Sequence, residues 1–204
     1  MPTGRPIHDI REQLFKAAEC VLLRDGPDAL TSRAVTTQAG VAKGILHRHF
    51  PDFDAFLAAF TLTQIERLDS LSAKLRATAG AGTVLDNLAD TLAAVLTPTA
   101  IRTINLVCSR QALLTRLRLT TPIGIPVAAE ITKIVAAYLT AERGFGRIAI
   151  DTDVDALAII LVGGAHLRAT EKDNLLIDPA DLQDVLKAGI GSGVTQRLHE
   201  ACSA

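Results

Sequence analysis

Residues 31–50, TSRAVTTQAGVAKGILHRHF, read as a helix, a tight turn and a second short helix. Thr31 and Ser32 are both good N-cap residues, and either can open the first helix. Val35, Ala39, Val41 and Leu46 are apolar at positions that meet inside the bend. Gly40 stands where the chain must leave the first helix, and glycine tolerates the left-handed conformation needed there. The second helix runs from about Ala42 to His49. It places Lys43, Gly44, Ile45, His47 and Arg48 on or near one outer surface. This is the layout of a helix-turn-helix, whose second helix enters the major groove of DNA. Two amphipathic helices joined by a glycine also occur in many all-α domains, so the pattern alone leaves both readings open.

The flanks favour the first reading. The spacing predicts a helix from about Asp9 to Arg24, with Ile10, Leu14, Ala17, Ala18, Val21 and Leu22 on one stripe. Asp25-Gly26-Pro27 ends it. Beyond Pro51 another helix starts, with Phe53, Phe56, Leu57 and Phe60 apolar. The segment thus sits in a compact helical head of about 60 residues.

The ordered set G-x-x-x-L-T-x-R-x-V-x-x-x-A-G-V-x-K-G-x-L-x-R-H-F, from Gly26 to Phe50, resembles the N-terminal signature of the TetR family of one-component bacterial transcriptional regulators. It is followed by the Pro-Asp-Phe-Asp-Ala-Phe-Leu opening of the next helix. Further along, the chain matches that family only in length and helical character. The resemblance implies DNA contacts from Thr31, Ser32, Arg33, Lys43, Gly44, Ile45, His47, Arg48 and His49. Lys43, Thr31, Ser32, His47 and His49 would anchor phosphates. Arg33, Gly44, Ile45 and Arg48 would lie nearest the base edges, Arg33 on a guanine and Ile45 against a thymine methyl.

Several positions depart from the family pattern. Ala42 stands where Ser or Thr is usual, so the second helix is expected to lack its side-chain cap, a contribution of about 1 kcal/mol. Thr36 replaces a small residue, and its hydroxyl needs a partner. His47 replaces a phosphate-contacting tyrosine, and Phe53 replaces a lysine. Weaker non-specific DNA binding than is typical of the family is the expectation, with some pH dependence through His47 and His49.

Composition sets outer bounds. The 204 residues fit one small head and one larger domain, divided here as 1–54 (DNA binding) and 55–204 (effector binding and dimerisation). With 49% apolar residues, many of them Ala and Leu, and few strand signals, the chain reads as all-α. A net charge of -1 argues against a generally basic nucleic-acid coat. Residues 1–60 hold seven Lys/Arg and seven Asp/Glu, so any DNA binding must rest on a few placed cations and on backbone amides at phosphates. Cys20, Cys108 and Cys202 lie far apart without metal spacing, which suits a reduced cytosol. The N-terminus lacks an apolar run fit for a signal peptide, and the longest apolar stretch, Leu157 to Ala165, is too short to cross a bilayer. A cytoplasmic protein without a membrane partner, cofactor or metal is expected.

Clear breaks divide the remainder. A linking helix is expected from Asp52 to about Arg76, then helices at 83–96, within 100–119, at 127–143, at 154–168 with Asp153 as N-cap, and near 179–187. The helices at 127–143 and 154–168 are strongly apolar, and the second is rich in Ala156, Ala158, Gly163, Gly164 and Ala165. By resemblance this pair packs against its twin, with Ile131, Val135, Tyr138, Leu157, Leu161 and Ala165 at a homodimer interface; filling a monomer core is the alternative. The helices within 83–119 would enclose an effector pocket, again by resemblance. Asn87, Thr91, Asn105, Cys108 and Gln111 are its candidate polar groups, although such side chains can equally satisfy one another or face solvent. Aromatics make up 3% of the chain and most lie in the head, so such a pocket would be aliphatic and suit a ligand of largely apolar surface.

The expected function is a homodimeric repressor on a palindromic double-stranded operator, released when a small molecule binds the C-terminal domain. A thiol-responsive regulator using Cys108 or Cys20 is the main alternative, although both cysteines lie in apolar helical contexts where thiols are usually inert packing. Catalysis finds no support: there is no nucleophile elbow, phosphate loop or H-E-x-x-H pair, and His8, His47, His49, His166 and His199 form no metal-like cluster. A head that docks protein instead of DNA is a third possibility.

Overall fold

The computed structural model describes residues 7–121, 124–172 and 175–190, and these form eleven helices with no strand. His199 and Cys202 lie outside the described residues. The helices are α1 (Ile7–Asp25), α2 (Ser32–Gln38), α3 (Gly44–His49), α4 (Phe53–Glu66), α5 (Asp69–Ala77), α6 (Val84–Val95), α7 (Pro98–Ser109), α8 (Gln111–Leu117), α9 (Pro126–Gly144), α10 (Val154–Thr170) and α11 (Pro179–Ile190). They pack as two compact units, neither contiguous in sequence: residues up to Glu66 with Pro98–Val127, and Arg67–Thr97 with the residues from Ala128 onward.

The first unit holds the head. Leu14, Ala17, Ala18, Val21 and Leu22 of α1 are buried, so the stripe expected from their spacing is the packed face. Gly26 adopts φ +84° and its N–H bonds the Leu22 carbonyl, which closes α1 before Pro27. Five of the six phenylalanines gather here: Phe15 sits 5.9, 5.6 and 6.2 Å from Phe50, Phe56 and Phe60, and Phe53 stacks on Phe56 at 5.6 Å. A small helical unit has too little volume to bury much with aliphatics alone, and aromatic rings supply the largest area per residue. Leu106 and Val107 of α7, and Leu113 and Leu117 of α8, complete this core. Their helices therefore belong to the first unit, whereas α6 belongs to the second.

The second unit is built on α11, which packs on both α6 and α10. A β-carbon at Gly164 of α10 would lie 2.7 Å from Val185 Cγ1, so that crossing depends on glycine. Asp153 caps α10 through Ala156 N–H, as the sequence suggests, and Thr83 caps α6 through Asp86 N–H. One end of the unit is polar and buried. Glu142 is fully buried and pairs with Arg147 Nε at 3.3 Å, and the Gly80 N–H points at its carboxylate. Arg147 Nη2 donates to the Gly82 carbonyl at 2.6 Å. Asn87 Nδ2 donates to Tyr138 Oη at 2.9 Å and to the Ala81 carbonyl at 2.8 Å. Burial, followed by the neighbouring Glu142, pushes the Tyr138 phenol far above its ordinary range.

The linking helix differs from expectation. It is two helices, broken at Arg67 and Leu68, and the break falls where the chain passes between the units. No proline or glycine marks the place. Thr61 and Thr63 bond back to the Leu57 and Ala59 carbonyls just before it, a pattern that bends helices. Each half then follows the core it packs against, Phe56 and Phe60 on one side and Leu68 and Leu75 on the other.

Candidate nucleic-acid interface

The turn between α2 and α3 follows from its residues. Thr31 Oγ1 accepts from Ala34 N–H at 3.1 Å, which fixes the start of α2. Gly40 adopts φ +65°, with Val41 N–H on the Thr36 carbonyl at 3.1 Å and Gly40 N–H on the Thr37 carbonyl at 3.1 Å. Those paired bonds are a Schellman closure, which needs a left-handed residue after the helix. Val35 and Leu46 are fully buried beneath the turn. The Thr36 hydroxyl finds its partners in the Ser32 and Arg33 carbonyls at 2.9 and 3.2 Å. α3 has no side-chain cap, as Ala42 implies.

Most of the sequence-assigned contact residues face outward. Thr31, Arg33, Lys43, Gly44, His47 and Arg48 are exposed, and Ile45 is half-buried. Arg33, Lys43 and Arg48 form no ion pair among the described residues, so their charge is available to an incoming polyanion. Arg33 and Thr31 also border a shallow groove of about 560 Å³ with Arg24, Ala34, Thr37 and Gln38 along α2. Two assignments change. Ser32 Oγ is buried and unpartnered among the described residues, so its hydroxyl does not face a phosphate; Thr31 takes the cap, and Ser32 turns inward on the first turn of α2. His49 is half-buried at the end of α3, its carbonyl accepting from Arg11 Nη1 at 3.5 Å.

The remaining assignments are dispersed. Asn87 and Thr91 lie half-buried on α6 in the second unit, whereas Asn105, Cys108 and Gln111 are exposed on α7 and α8 in the first. The five do not gather within either unit, because the apolar faces of α7 and α8 are spent on the head core and turn these polar side chains to solvent. Asn87 is held by Tyr138 and Ala81. Cys20 and Cys108 are both exposed, contrary to the apolar packing expected of them.

On α9, Ile131, Val135 and Tyr138 are buried within the protomer, as are Leu161 and Ala165 of α10, while Leu157 is half-buried. The outward side of α10 is displaced around the helix: Ile159, Ile160 and Leu167 are 64%, 60% and 66% exposed, with Ala156 and Gly163 among them. Periodicity finds both stripes on an all-apolar helix but does not say which one the protomer uses.

Sequence reasoning also missed the braces of the turn. Gln13 Nε2 donates to the Ala39 carbonyl at 2.7 Å, Arg24 Nη1 to Gln38 Oε1 at 3.0 Å, Arg110 Nη2 to the Leu30 carbonyl at 2.8 Å and Arg116 Nη2 to Asp52 Oδ2 at 2.8 Å. The one signal along the chain was the three arginines in residues 110–118. The Asp52 carboxylate is held below the usual range, first by the Ala55 N–H it caps and then by Arg116.

A three-helix head with an uncapped, outward, cationic second helix has the layout of a helix-turn-helix. Residues 14–60 match the family described as bacterial regulatory proteins, tetR family. That match covers the helical head, and the rest of the chain lies outside it. No curated protein matches the chain. Solved structures that share its fold include a transcriptional regulator from Rhodococcus sp. Rha1 (20% identity, 90% of this chain and 95% of that one, TM-score 0.64). A gamma-butyrolactone receptor described as ArpA-like also shares it (20%, 93% and 90%, 0.64), as does the fatty acid degradation regulator FadR from Bacillus halodurans (16%, 89% and 98%, 0.62). Among the described residues no single helix is long and apolar enough to cross a membrane.

Proposed function

We propose that the protein is a cytoplasmic, homodimeric repressor that binds a palindromic duplex operator and leaves it when a small, largely apolar molecule binds the C-terminal region. The observation that carries this reading is the free cationic surface of Arg33, Lys43 and Arg48 on two short helices whose opposite faces are fully packed. A two-fold dimer would present two α3 helices about 34–36 Å apart, one turn of B-DNA. The exposed α10 face of Ile159, Ile160, Gly163 and Leu167 is the dimer surface in this reading, in place of the inward stripe of Leu157, Leu161 and Ala165. The functional division remains 1–54 for DNA and 55–204 for effector and twin. The effector class is supported by the scarcity of aromatic residues beyond the head and by two fold relatives, one named as a gamma-butyrolactone receptor and one as a fatty acid degradation regulator. The ligand must favour the DNA-free state, since equal affinity for both states shifts nothing.

The test is selection of bound duplexes from a random pool, followed by titration of the winning sequence. Arg33→Ala is expected to cost about 1–3 kcal/mol at one base position, and Lys43→Ala to reduce the salt slope by about one. Unchanged affinity and slope for both variants would remove the head from the mechanism. A thiol-responsive reading has one observation in its favour, the exposure of both Cys20 and Cys108 on the first unit. Loss of operator binding after mild peroxide, abolished in a Cys20→Ser/Cys108→Ser variant, would select it.

A further inference from the structure

The two DNA-facing helices are seven and six residues long, too short to hold a conformation alone. Their pose must come from what surrounds them. α1 holds their C-terminal ends: Gln13 bonds the Ala39 carbonyl and Arg11 the His49 carbonyl. The other two fixed points come from one short helix far along the chain. Arg110, the N-cap residue of α8, donates Nη2 to the carbonyl of Leu30, the residue just before the Thr31 cap. Its guanidinium also lies over the Phe53 ring at 5.8 Å. Arg116, in the last turn of α8, donates to the carboxylate of Asp52, which caps α4 through Ala55 N–H at 2.6 Å. Between these arginines, Leu113 and Leu117 are buried in the head core. α8 is thus anchored by its apolar face and grips the segment from Leu30 to Asp52 at both of its ends.

We infer that α8 is a strut that sets the angle of the DNA-reading helices, with Arg110 and Arg116 as its positioning residues. The inference rests on the head reading duplex DNA. Both bonds are charge-assisted and directional, so they fix orientation well. Both arginines are partly exposed, so their removal subtracts little from stability. Base-edge contacts tolerate only about 0.5 Å of misplacement, so a small tilt of the turn is felt in affinity before it is felt in folding. Neither arginine needs to touch DNA for this role, since Arg116 is already paired and Arg110 is spent on a carbonyl.

The experiment uses the full chain and the duplex selected from a random pool by the wild-type protein. Arg110→Ala, Arg116→Ala, Arg110→Lys, Arg116→Lys and Asp52→Asn are titrated at several salt concentrations, with thermal unfolding measured on the same samples. Arg110→Ala and Arg116→Ala are each expected to weaken binding about three- to tenfold with an unchanged salt slope, the lysine variants to recover most of the loss, and Asp52→Asn to reproduce part of it. Should an alanine variant unfold at the assay temperature, its lysine counterpart and Asp52→Asn decide the matter by the same criteria. Unchanged affinity in folded variants would overturn the strut. So would a slope reduced by about one per arginine, which would make the arginines phosphate contacts. Lys43→Ala is the control: an effect there with none at Arg110 and Arg116 removes the strut alone, whereas no effect at any of the three removes DNA reading and the strut with it.

Discussion

Gly40 and Gly44 lie four residues apart and do opposite things. At Gly40 a β-carbon would meet nothing within 4 Å, but φ is +65°, so alanine there carries the left-handed penalty of about 1–2 kcal/mol. Gly44 opens α3, again with no atom within 4 Å, and alanine there should add up to about 1 kcal/mol of helix preference. Thermal unfolding should therefore fall for Gly40→Ala and rise for Gly44→Ala, while Gly44→Ala also weakens duplex binding if backbone and base approach closely at that point. A Gly44→Ala variant that binds as well as wild type would exclude such an approach. Asp52 predicts a pH effect of definite sign. Its carboxyl is depressed in the folded chain, so the unfolded chain binds the proton more readily. The stabilisation is present above the ordinary carboxylate pKa of about 4 and is lost as pH falls through the folded value. Denaturant unfolding should show Asp52→Asn less stable than wild type at pH 7, with the gap closing on acidification below about pH 4; a gap that persists at low pH would assign the effect to packing instead.

At the scale of elements, α10 packs one face on α11 and leaves another exposed. Its Gly164 admits Val185 of α11, a β-branched side chain with little freedom to move aside. Gly164→Ala should destabilise the protein by about 1–3 kcal/mol, read as a lower unfolding temperature, whereas Gly163→Ala, with nothing within 4 Å, should not. Similar losses for both would mean that Gly163 is also closely packed, against a twin. α6 and α9 are joined differently, through a set of which Tyr138 and Glu142 are buried and Asn87 and Arg147 partly so. Low local dielectric makes such a set strong when complete and costly when one member is missing.

For the molecule as a whole, the proposed function calls for a two-fold pair of heads. The exposed side chains Ile159, Ile160 and Leu167 form an apolar row longer than a solvated helix needs. Ile160→Asp should convert a dimer to a monomer in sedimentation, with duplex affinity falling steeply because the second half-site is lost. A variant that stays dimeric would move the interface elsewhere. Solubility of the monomeric variant also checks that the row is a surface and not a core.

Much of this was legible along the chain. The breaks at Gly26 and Gly40, the cap at Asp153, and the stripe of α1 are local, since each depends on residues within one or two turns. The outward position of Arg33, Lys43 and Arg48 was legible for the same reason: α2 and α3 are short and their periodicity separates inside from outside. The break at Arg67 and Leu68, the membership of α7 and α8 in the head core, and the inward turn of Ser32 were not. Each depends on which distant apolar face a helix meets, and an alternating pattern names a stripe without naming its partner. The stripe of α10 is the sharpest instance: its residues are apolar nearly all round, so the choice between Leu161 and Ile160 as the inner side chain was left to the packing of α11.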